Sequence, residues 1–175
     1  GNDTNQFTSD SFSILDAVTV SDTTLDGSEL AAAIDQANSA TGNTSTVFTI
    51  TAADTITGSG TDFDNLLTDE TAGNIDITDQ ALSVSTSITV DQANSLMAAT
   101  TGIVTATIVS TETLTELGTL TDPGGQNNEL TITIRSEDAT AGTAADLNAI
   151  NAVTASAVNL TNVTALAASS LADLG

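Results

Sequence analysis

The sequence predicts a β-rich α/β solenoid, in which parallel strands alternate with short helices. The first observation is an internal repeat. When the second half of the chain is shifted by 54 positions it matches itself without gaps, so that Leu96 meets Ile150 and Val104 meets Val158. The second observation is that each repeat holds two strand-like segments, each followed by a helix-like segment. Such strand-and-helix units, called rungs below, stack on one another in solenoids.

The composition favours a thin and regular core. The hydrophobic fraction is 39%, and it consists of Ala, Val, Ile and Leu with only 4 Phe and no Trp or Tyr. The chain also contains 34 Thr, a β-branched residue that suits a pleated, half-exposed strand surface. Two alternatives remain open at this point: a parallel β-helix, in which the helices are over-assigned, or a β-sandwich.

Residues 1–73 are predicted to form a strand-rich N-terminal segment with one short helix. Apolar residues alternate with period 2 at 12–14 and 18–20, which is typical of strands. Ser28 is placed to cap a helix that continues to residue 37, and 47–50 resumes a strand. The inward face of this helix is expected to hold Leu30, Ala33, Ile34 and Ala37.

Residues 74–175 are predicted to form the repeat array. Loop residues cluster at 123–128, where Pro, Gly and Asn follow one another. Strands are expected at 74–77, 87–90, 103–109, 130–134 and 157–163, and helices at 91–99, 111–120, 143–153 and 165–174. One continuous core is expected from Leu96, Val104, Ile108, Leu117, Ile132, Ile134, Leu147, Ile150, Val158 and Leu160.

Two sequence segments in the repeat array resemble a known family. They are Gly-Ile-Val-Thr-Ala-Thr at 102–107 and Gly-Thr-Ala-Ala-Asp-Leu-Asn-Ala-Ile at 142–150. Over residues 85–164 the chain resembles repeats of very large cell-surface proteins of marine cyanobacteria, whereas residues 1–73 do not fit the pattern. The resemblance implies an extracellular, adhesive or cell-envelope role, and it supplies no catalytic residues.

The charge balance excludes several classes of partner. The chain has 23 acidic residues and a single cation, Arg135, which gives a net charge of −22. Binding to nucleic acid or to an anionic membrane surface needs many cations, so neither is expected. No apolar run approaches the roughly 20 residues of a membrane span. Because like charges repel in the compact state, the fold is expected to be more stable in high salt or with divalent cations than in dilute buffer.

The residue types also argue against an enzyme. The chain has no His, Cys, Tyr or Lys, which are the usual groups for proton transfer near pH 7 and for nucleophile activation. A glycosidase needs only two carboxylates, but it would normally need aromatic platforms for its sugar substrate, and only Phe is present. A non-enzymatic protein is therefore expected.

One segment suggests a metal site. Gly58-Ser-Gly-Thr-Asp62-Phe-Asp64 resembles half of the Gly- and Asp-rich repeat that binds calcium in β-roll proteins. Calcium prefers six to eight oxygen ligands, so Asp62 and Asp64 are the candidate ligands for Ca²⁺, with loop carbonyls beside them. The alternative is that this segment is an ordinary Gly-Asp turn that binds no metal. No other cofactor is suggested.

Two surface features have a structural and a functional interpretation. Arg135 continues the outward positions Thr131 and Thr133, so it is expected on an exposed strand face, in a surface ion pair with the acidic residues at 137–138. The Thr-x-Thr pairs at 105–107 and 131–133 are expected to form an outward row of hydroxyls. Such a row either is ordinary solvated surface or orders water and packs against another chain.

These observations favour a non-enzymatic structural and adhesive repeat protein that is extracellular and self-assembles into a filament or surface layer. The partners expected are further copies of the chain or adjoining repeats of a longer one. The N-terminal residues 1–20 are expected to form an unpaired strand that has no partner within the repeat array. They are expected to pair with a neighbouring copy, or with adjoining segments of a longer chain. The alternative function is a calcium- or ligand-binding module of a secreted protein.

Overall fold

The protein is an α/β structure in which strands and helices alternate along the chain. The computed structural model describes residues 17–20, 24–39, 46–50, 55–138, 140 and 142–167. The strands are β1 (Ala17–Val20), β2 (Thr24–Asp26), β3 (Val47–Ile50), β4 (Thr55–Gly58), β5 (Ala81–Ile88), β6 (Val104–Ile108) and β7 (Glu129–Thr131). The helices are α1 (Gly27–Ser39), α2 (Gly60–Thr71), α3 (Val90–Ala99), α4 (Leu114–Leu117) and α5 (Ala144–Ala152), and Ser136–Asp138 forms one 3-10 turn.

Five strands form one parallel sheet in the order β2-β4-β5-β6-β7. Leu25 pairs with Ile56, Ile56 with Leu82 and Leu82 with Val104, so a row of buried apolar side chains crosses the sheet. A second parallel sheet joins β1 to β3, and Phe48 of β3 makes a single bridge to Ile75. Parallel strands cannot be joined by a tight hairpin, which explains why a helix lies between most neighbouring strands.

The strand and helix faces meet in one hydrophobic core. In β6 the side chains alternate strictly, with Val104, Ala106 and Ile108 buried and the two threonines between them exposed. The helices face the same core through apolar residues three or four positions apart, such as Phe63 and Leu66 of α2. The largest fully buried side chains are Phe63, Ile34, Ile56, Leu66, Ile77, Leu82, Ile88, Leu96, Met97, Leu117, Leu130 and Ile132.

The alternation of parallel strands with helices is confirmed. Four of the helices contain 13, 12, 10 and 9 residues, and the strands of the described sheets pair in parallel. The division between 1–73 and 74–175 stays a prediction. It falls between β4 and β5, which are hydrogen-bonded neighbours in the five-stranded sheet.

Several predicted helix boundaries were wrong because a different residue caps the helix. Ser28 lies inside α1, and the carboxylate of Asp26 accepts the N–H groups of Ser28 and Glu29 at 2.9 and 3.3 Å. The predicted strand at 87–90 ends at Ile88, because Thr89 caps α3 and Val90 is already helical. The helix predicted at 111–120 is only the single turn α4.

The predicted strands at 74–77 and 157–163 are reduced to single bridges, Phe48 to Ile75 and Thr133 to Asn159. The prediction that Leu160 belongs to the core was wrong, since its side chain is 42% exposed. Leu147 and Val158 are only partly buried against the core. The other seven predicted core residues are buried: Leu96, Val104, Ile108, Leu117, Ile132, Ile134 and Ile150.

The prediction that residues 1–20 form an unpaired strand was wrong for 17–20, although the partner lies outside the repeat array. These residues form β1 and pair in register with β3, from Ala17 opposite Val47 to Val20 opposite Ile50. The predicted strand at 12–14 lies outside the described residues, as do residues 168–174 of the last predicted helix.

Candidate functional site

The segment proposed as a calcium loop is a helix start. β4 ends at Gly58, Ser59 caps α2, and the helix runs on from Gly60. The Asp62 carboxylate accepts the backbone N–H and the hydroxyl of Ser59, both at 2.7 Å, and thereby closes a capping box. The Asp64 carboxylate accepts the side-chain amide of Gln92 at 2.8 Å.

The two candidate ligands do not converge. Asp62 and Asp64 are two positions apart on α2, and side chains at that spacing do not face each other on a helix. Among the residues that the structure describes, no group of three or more metal-binding side chains occurs. The helix could have been found from Ser59-x-x-Asp62 followed by apolar residues at 63, 66 and 67, the sequence signature of a capped helix. Calcium binding by Asp62 and Asp64 stays a prediction.

Four helices begin with the same capping arrangement. In each, a Ser or Thr hydroxyl accepts a backbone N–H three residues later, and the side chain at that later position accepts the backbone N–H of the cap. The first and third caps are 54 residues apart, and so are the second and fourth. The pairs are Ser59 with Asp62, Thr89 with Gln92, Thr113 with Glu116 and Thr143 with Asp146.

In two of these caps the carboxylate, that of Glu116 or Asp146, prefers the ionised form. Hydrogen bonds from the backbone and hydroxyl of Thr113 lower the pKa of Glu116, and those from Thr143 lower the pKa of Asp146. A helix N-terminus also carries partial positive charge, which favours an anion there. These two acidic residues therefore serve local structure.

A second set of bonds joins the starts of α2, α3 and α4 to the following rung. The first helical N–H of α2, at Gly60, donates to the Thr86 hydroxyl at 3.0 Å. The first N–H of α3, at Val90, donates to Glu112 at 3.1 Å, and that of α4, at Leu114, donates to Asp138 at 2.9 Å. These donors have no partner inside their own helix, so each helix start depends on a side chain 22–26 residues further along.

The ends of the rungs contain a matched pair of threonines, also 54 residues apart. The Thr100 hydroxyl is buried, lies 2.9 Å from the carbonyl oxygen of Thr78, and accepts the N–H of Gly102 at 2.9 Å. The Thr154 hydroxyl lies 3.0 Å from the carbonyl oxygen of Leu130 and accepts the N–H of Ser156 at 3.1 Å. Each threonine thus ties the backbone of its own turn to that of the preceding rung.

Between these two threonines lies a fully buried amide. The Asn128 side-chain oxygen accepts the N–H of Val104 at 2.8 Å, and its NH₂ group donates to Asp122 and Gln126 at 3.3 and 3.2 Å. A buried polar side chain is tolerated when its hydrogen bonds are made, as they are here. Asn128 therefore supplies the bond between rungs at the start of β6.

Arg135 has a structural partner. Its guanidinium contacts the Asp138 carboxylate at 2.7 Å and donates to the carbonyl oxygen of Thr111 at 3.4 Å. The hydrogen bond from Arg135, together with that from the Leu114 N–H, lowers the pKa of Asp138. The predicted ion pair with 137–138 is thus confirmed through Asp138. The Arg135 side chain, however, is only partly exposed, and Arg135 follows Ile134 outside any strand.

An open depression of about 380 Å³ lies beside Arg135. It is lined by Ser110, Thr111, Thr133, Arg135, Ser136, Glu137 and Asn162.

Hydroxyl groups line the outward face of the five-stranded sheet. Thr57 pairs with Ser83 and Ser83 with Thr105, and Thr107 lies between Ser87 and Thr131 in a second row. The register of β5 shifts between Ser83 and Ser87, so the two rows are not one regular grid.

A different surface exposes apolar side chains. Val158, Leu160, Val163 and Leu166, together called the 154–167 face, follow the last rung that is complete within the described residues. Leu160 and Leu166 are 42% and 44% exposed, while Val158 and Val163 are partly buried against the core. Exposed large apolar residues grouped in one segment indicate an interaction surface more often than isolated ones do.

Among the described residues, no helix is long and apolar enough to cross a membrane. Comparison with known protein families, with curated proteins and with solved structures finds no match for this chain.

Proposed function

We propose that this chain is a non-enzymatic structural and adhesive repeat protein of the cell exterior. Its rungs stack as a solenoid, and its copies assemble into a filament or surface layer. The observation that carries the proposal is the recurrence of one hydrogen-bonded unit along the chain: a capped helix whose first free N–H is bound by the next rung.

The recurring unit supports a solenoid because it couples neighbours only. The cap residues Ser59, Thr89 and Thr113 organise their own helices, and Thr86, Glu112 and Asp138 link each helix to the rung that follows. Arrays built in this way present long surfaces of repeated design, which suit binding and assembly rather than a catalytic pocket. The family resemblance over 85–164 points in the same direction, toward an adhesive surface protein.

The acidity supports a role in salt-rich surroundings. With a net charge of −22, copies of the chain repel one another in dilute buffer. At high ionic strength the Debye length falls to about 3 Å, so the repulsion acts only over very short distances. Assembly of the proposed kind is therefore expected in concentrated salt and not in dilute buffer.

Assembly against salt tests the proposed function. The full chain is examined by light scattering and negative-stain electron microscopy at several protein concentrations, in dilute buffer and at ionic strengths up to 1 M. The expected result is ordered filaments or sheets that form in high salt, grow with protein concentration and dissolve on dilution of the salt. Particles no larger than a few chains at all concentrations and salts would contradict the assembly role.

A further inference from the structure

We infer that the open depression beside Arg135 is a binding site for a neutral saccharide. The inference rests on the proposed function and deepens it, since it names the chemical class to which an adhesive copy would attach. Three features support it: the place of the depression in the fold, the hydrogen-bonding groups that line it and the charge around it.

The depression lies where three successive rungs leave their strands. Thr111 comes three residues after the end of β6, and Arg135 directly follows the segment 132–134. Asn162 comes three residues after the bridge at Asn159. These segments run in parallel, so the residues that follow them gather at one edge of the sheet. Ligands of α/β proteins commonly bind at this edge, outside the carboxyl ends of the strands.

Hydrogen bonds hold the walls of the depression in place. The Arg135 guanidinium lies between the Asp138 carboxylate at 2.7 Å and the Thr111 carbonyl oxygen at 3.4 Å. The Asn162 side-chain amide donates to the carbonyl oxygen of Ile134 at 2.8 Å. A ligand would meet polar groups that are already oriented, so less conformational freedom is lost on binding.

The lining keeps hydrogen-bonding groups that the described residues do not use. The side-chain hydroxyls of Ser110, Thr111 and Thr133 make no hydrogen bond to any described residue. The side-chain oxygen of Asn162 likewise accepts none from the described part of the chain. A guanidinium has five N–H groups, and that of Arg135 uses three of them. Donors and acceptors therefore remain side by side in the depression.

The charge around Arg135 selects a neutral ligand. Its hydrogen bond to Asp138, together with the negative charges of Asp138, Glu137 and Glu116, raises the pKa of Arg135. One cation thus faces three carboxylates, so the depression repels phosphate, sulfate and carboxylate groups. A metal ion is not favoured either, because no group of three metal-binding side chains occurs among the described residues.

A saccharide matches these groups. Its hydroxyls can donate to the side-chain oxygens of Glu137 and Asn162 and accept from the N–H groups of Arg135. The volume of about 380 Å³ lies within the range of roughly 300–1,000 Å³ that is usual for small-molecule sites. No aromatic ring lies among the described lining residues, so each site binds through hydrogen bonds alone and weakly. Many copies in one filament would supply the avidity that adhesion needs.

An NMR titration of the ¹⁵N-labelled chain in dilute buffer tests the inference. The probes are neutral oligosaccharides of glucose, galactose and mannose, each added to about 10 mM, which detects dissociation constants in the millimolar range. At least one is expected to shift the amide signals of Thr111, Thr133 and Ser136 in a saturable way. Inorganic sulfate at the same concentration and ionic strength is expected to leave these signals unchanged.

Two variants connect the binding to the depression. The double substitution Ser110→Ala with Thr133→Val removes two lining hydroxyls with little change of shape. It is expected to weaken saccharide binding about tenfold, because two hydrogen bonds are lost. Thr131→Val is the matched control, since it removes an exposed hydroxyl from β7 outside the depression and is expected to leave the affinity unchanged. Circular dichroism checks that both variants are folded.

The inference would be overturned by the absence of saturable shifts with every oligosaccharide, by equal shifts with sulfate, or by unchanged affinity in the double variant. An equal loss of affinity in Thr131→Val would also overturn it. Filaments formed by a chain that binds no saccharide would overturn the inference while leaving the assembly role standing. Saccharide binding by a chain that never assembles would support the inference and contradict that role.

Discussion

Replacing Phe63 by Ala is expected to lower the free energy of unfolding by about 3–5 kcal/mol. Phe63 is 1% exposed and is the largest fully buried side chain in the described core. It projects from α2, which packs against α1, α3, β4 and β5. The surrounding aliphatic side chains cannot fill the space of a phenyl ring, so a cavity would remain.

Urea unfolding followed by circular dichroism measures this effect, since the chain has no Trp or Tyr to report by fluorescence. Leu166→Ala is the matched control: it also removes a large apolar group, but from a side chain that is 44% exposed. Its expected effect is within about 0.5 kcal/mol of zero. If the two substitutions cost the same, α2 does not bury Phe63 as described.

The second large effect is expected at Gly102, where Ala should cost about 1–3 kcal/mol or more. A Cβ at this position would overlap the carbonyl oxygen and carbonyl carbon of Gln80, which belong to the backbone of the preceding rung. The Gln80 backbone cannot move away without breaking hydrogen bonds, because the Thr100 hydroxyl binds both the carbonyl oxygen of Gln80 and the N–H of Gly102. The rungs would be forced apart at this corner.

Gly118→Ala is the control for Gly102→Ala. Gly118 ends α4 with φ −66°, a value that any residue adopts, and an added Cβ would meet its nearest neighbours at an ordinary 3.4 Å. Ala there should be neutral or stabilising by about 0.4–1 kcal/mol, because it restricts the unfolded chain. Equal losses in thermal stability for the two variants would show that close contact between rungs is not what Gly102 provides.

The sequence predicted the alternation of strands and helices because apolar periodicity reports directly on which faces are buried. The β6 pattern of Val104, Ala106 and Ile108 and the α3 pattern of Ala93 and Leu96 were both recognisable in this way. Helix starts were less well predicted. Their positions depend on which hydroxyl or carboxylate binds a free N–H, and several Ser, Thr and Asp residues compete for that role.

The candidate metal site shows the same difficulty. Glycine and aspartate occur both in calcium loops and at helix starts, so the residues around Asp62 fit either structure. Asp62 accepts hydrogen bonds from Ser59, which lies within the motif, and Asp64 accepts one from Gln92, which lies 28 residues beyond it. Apolar periodicity also could not predict that α2, α3 and α4 depend on hydrogen-bond acceptors from the next rung. That prediction requires knowledge of which rungs are neighbours.

In the proposed solenoid, each rung is stabilised by its neighbours alone. Native-state hydrogen exchange, compared between wild-type protein and Phe63→Ala, tests this most directly. The account predicts that protection falls most in α2 and in the adjoining β4 and β5. It predicts little change at β7 and α5, which lie two or more rungs away. An equal loss of protection in every segment would mean that the chain unfolds as one cooperative unit, and it would contradict the array.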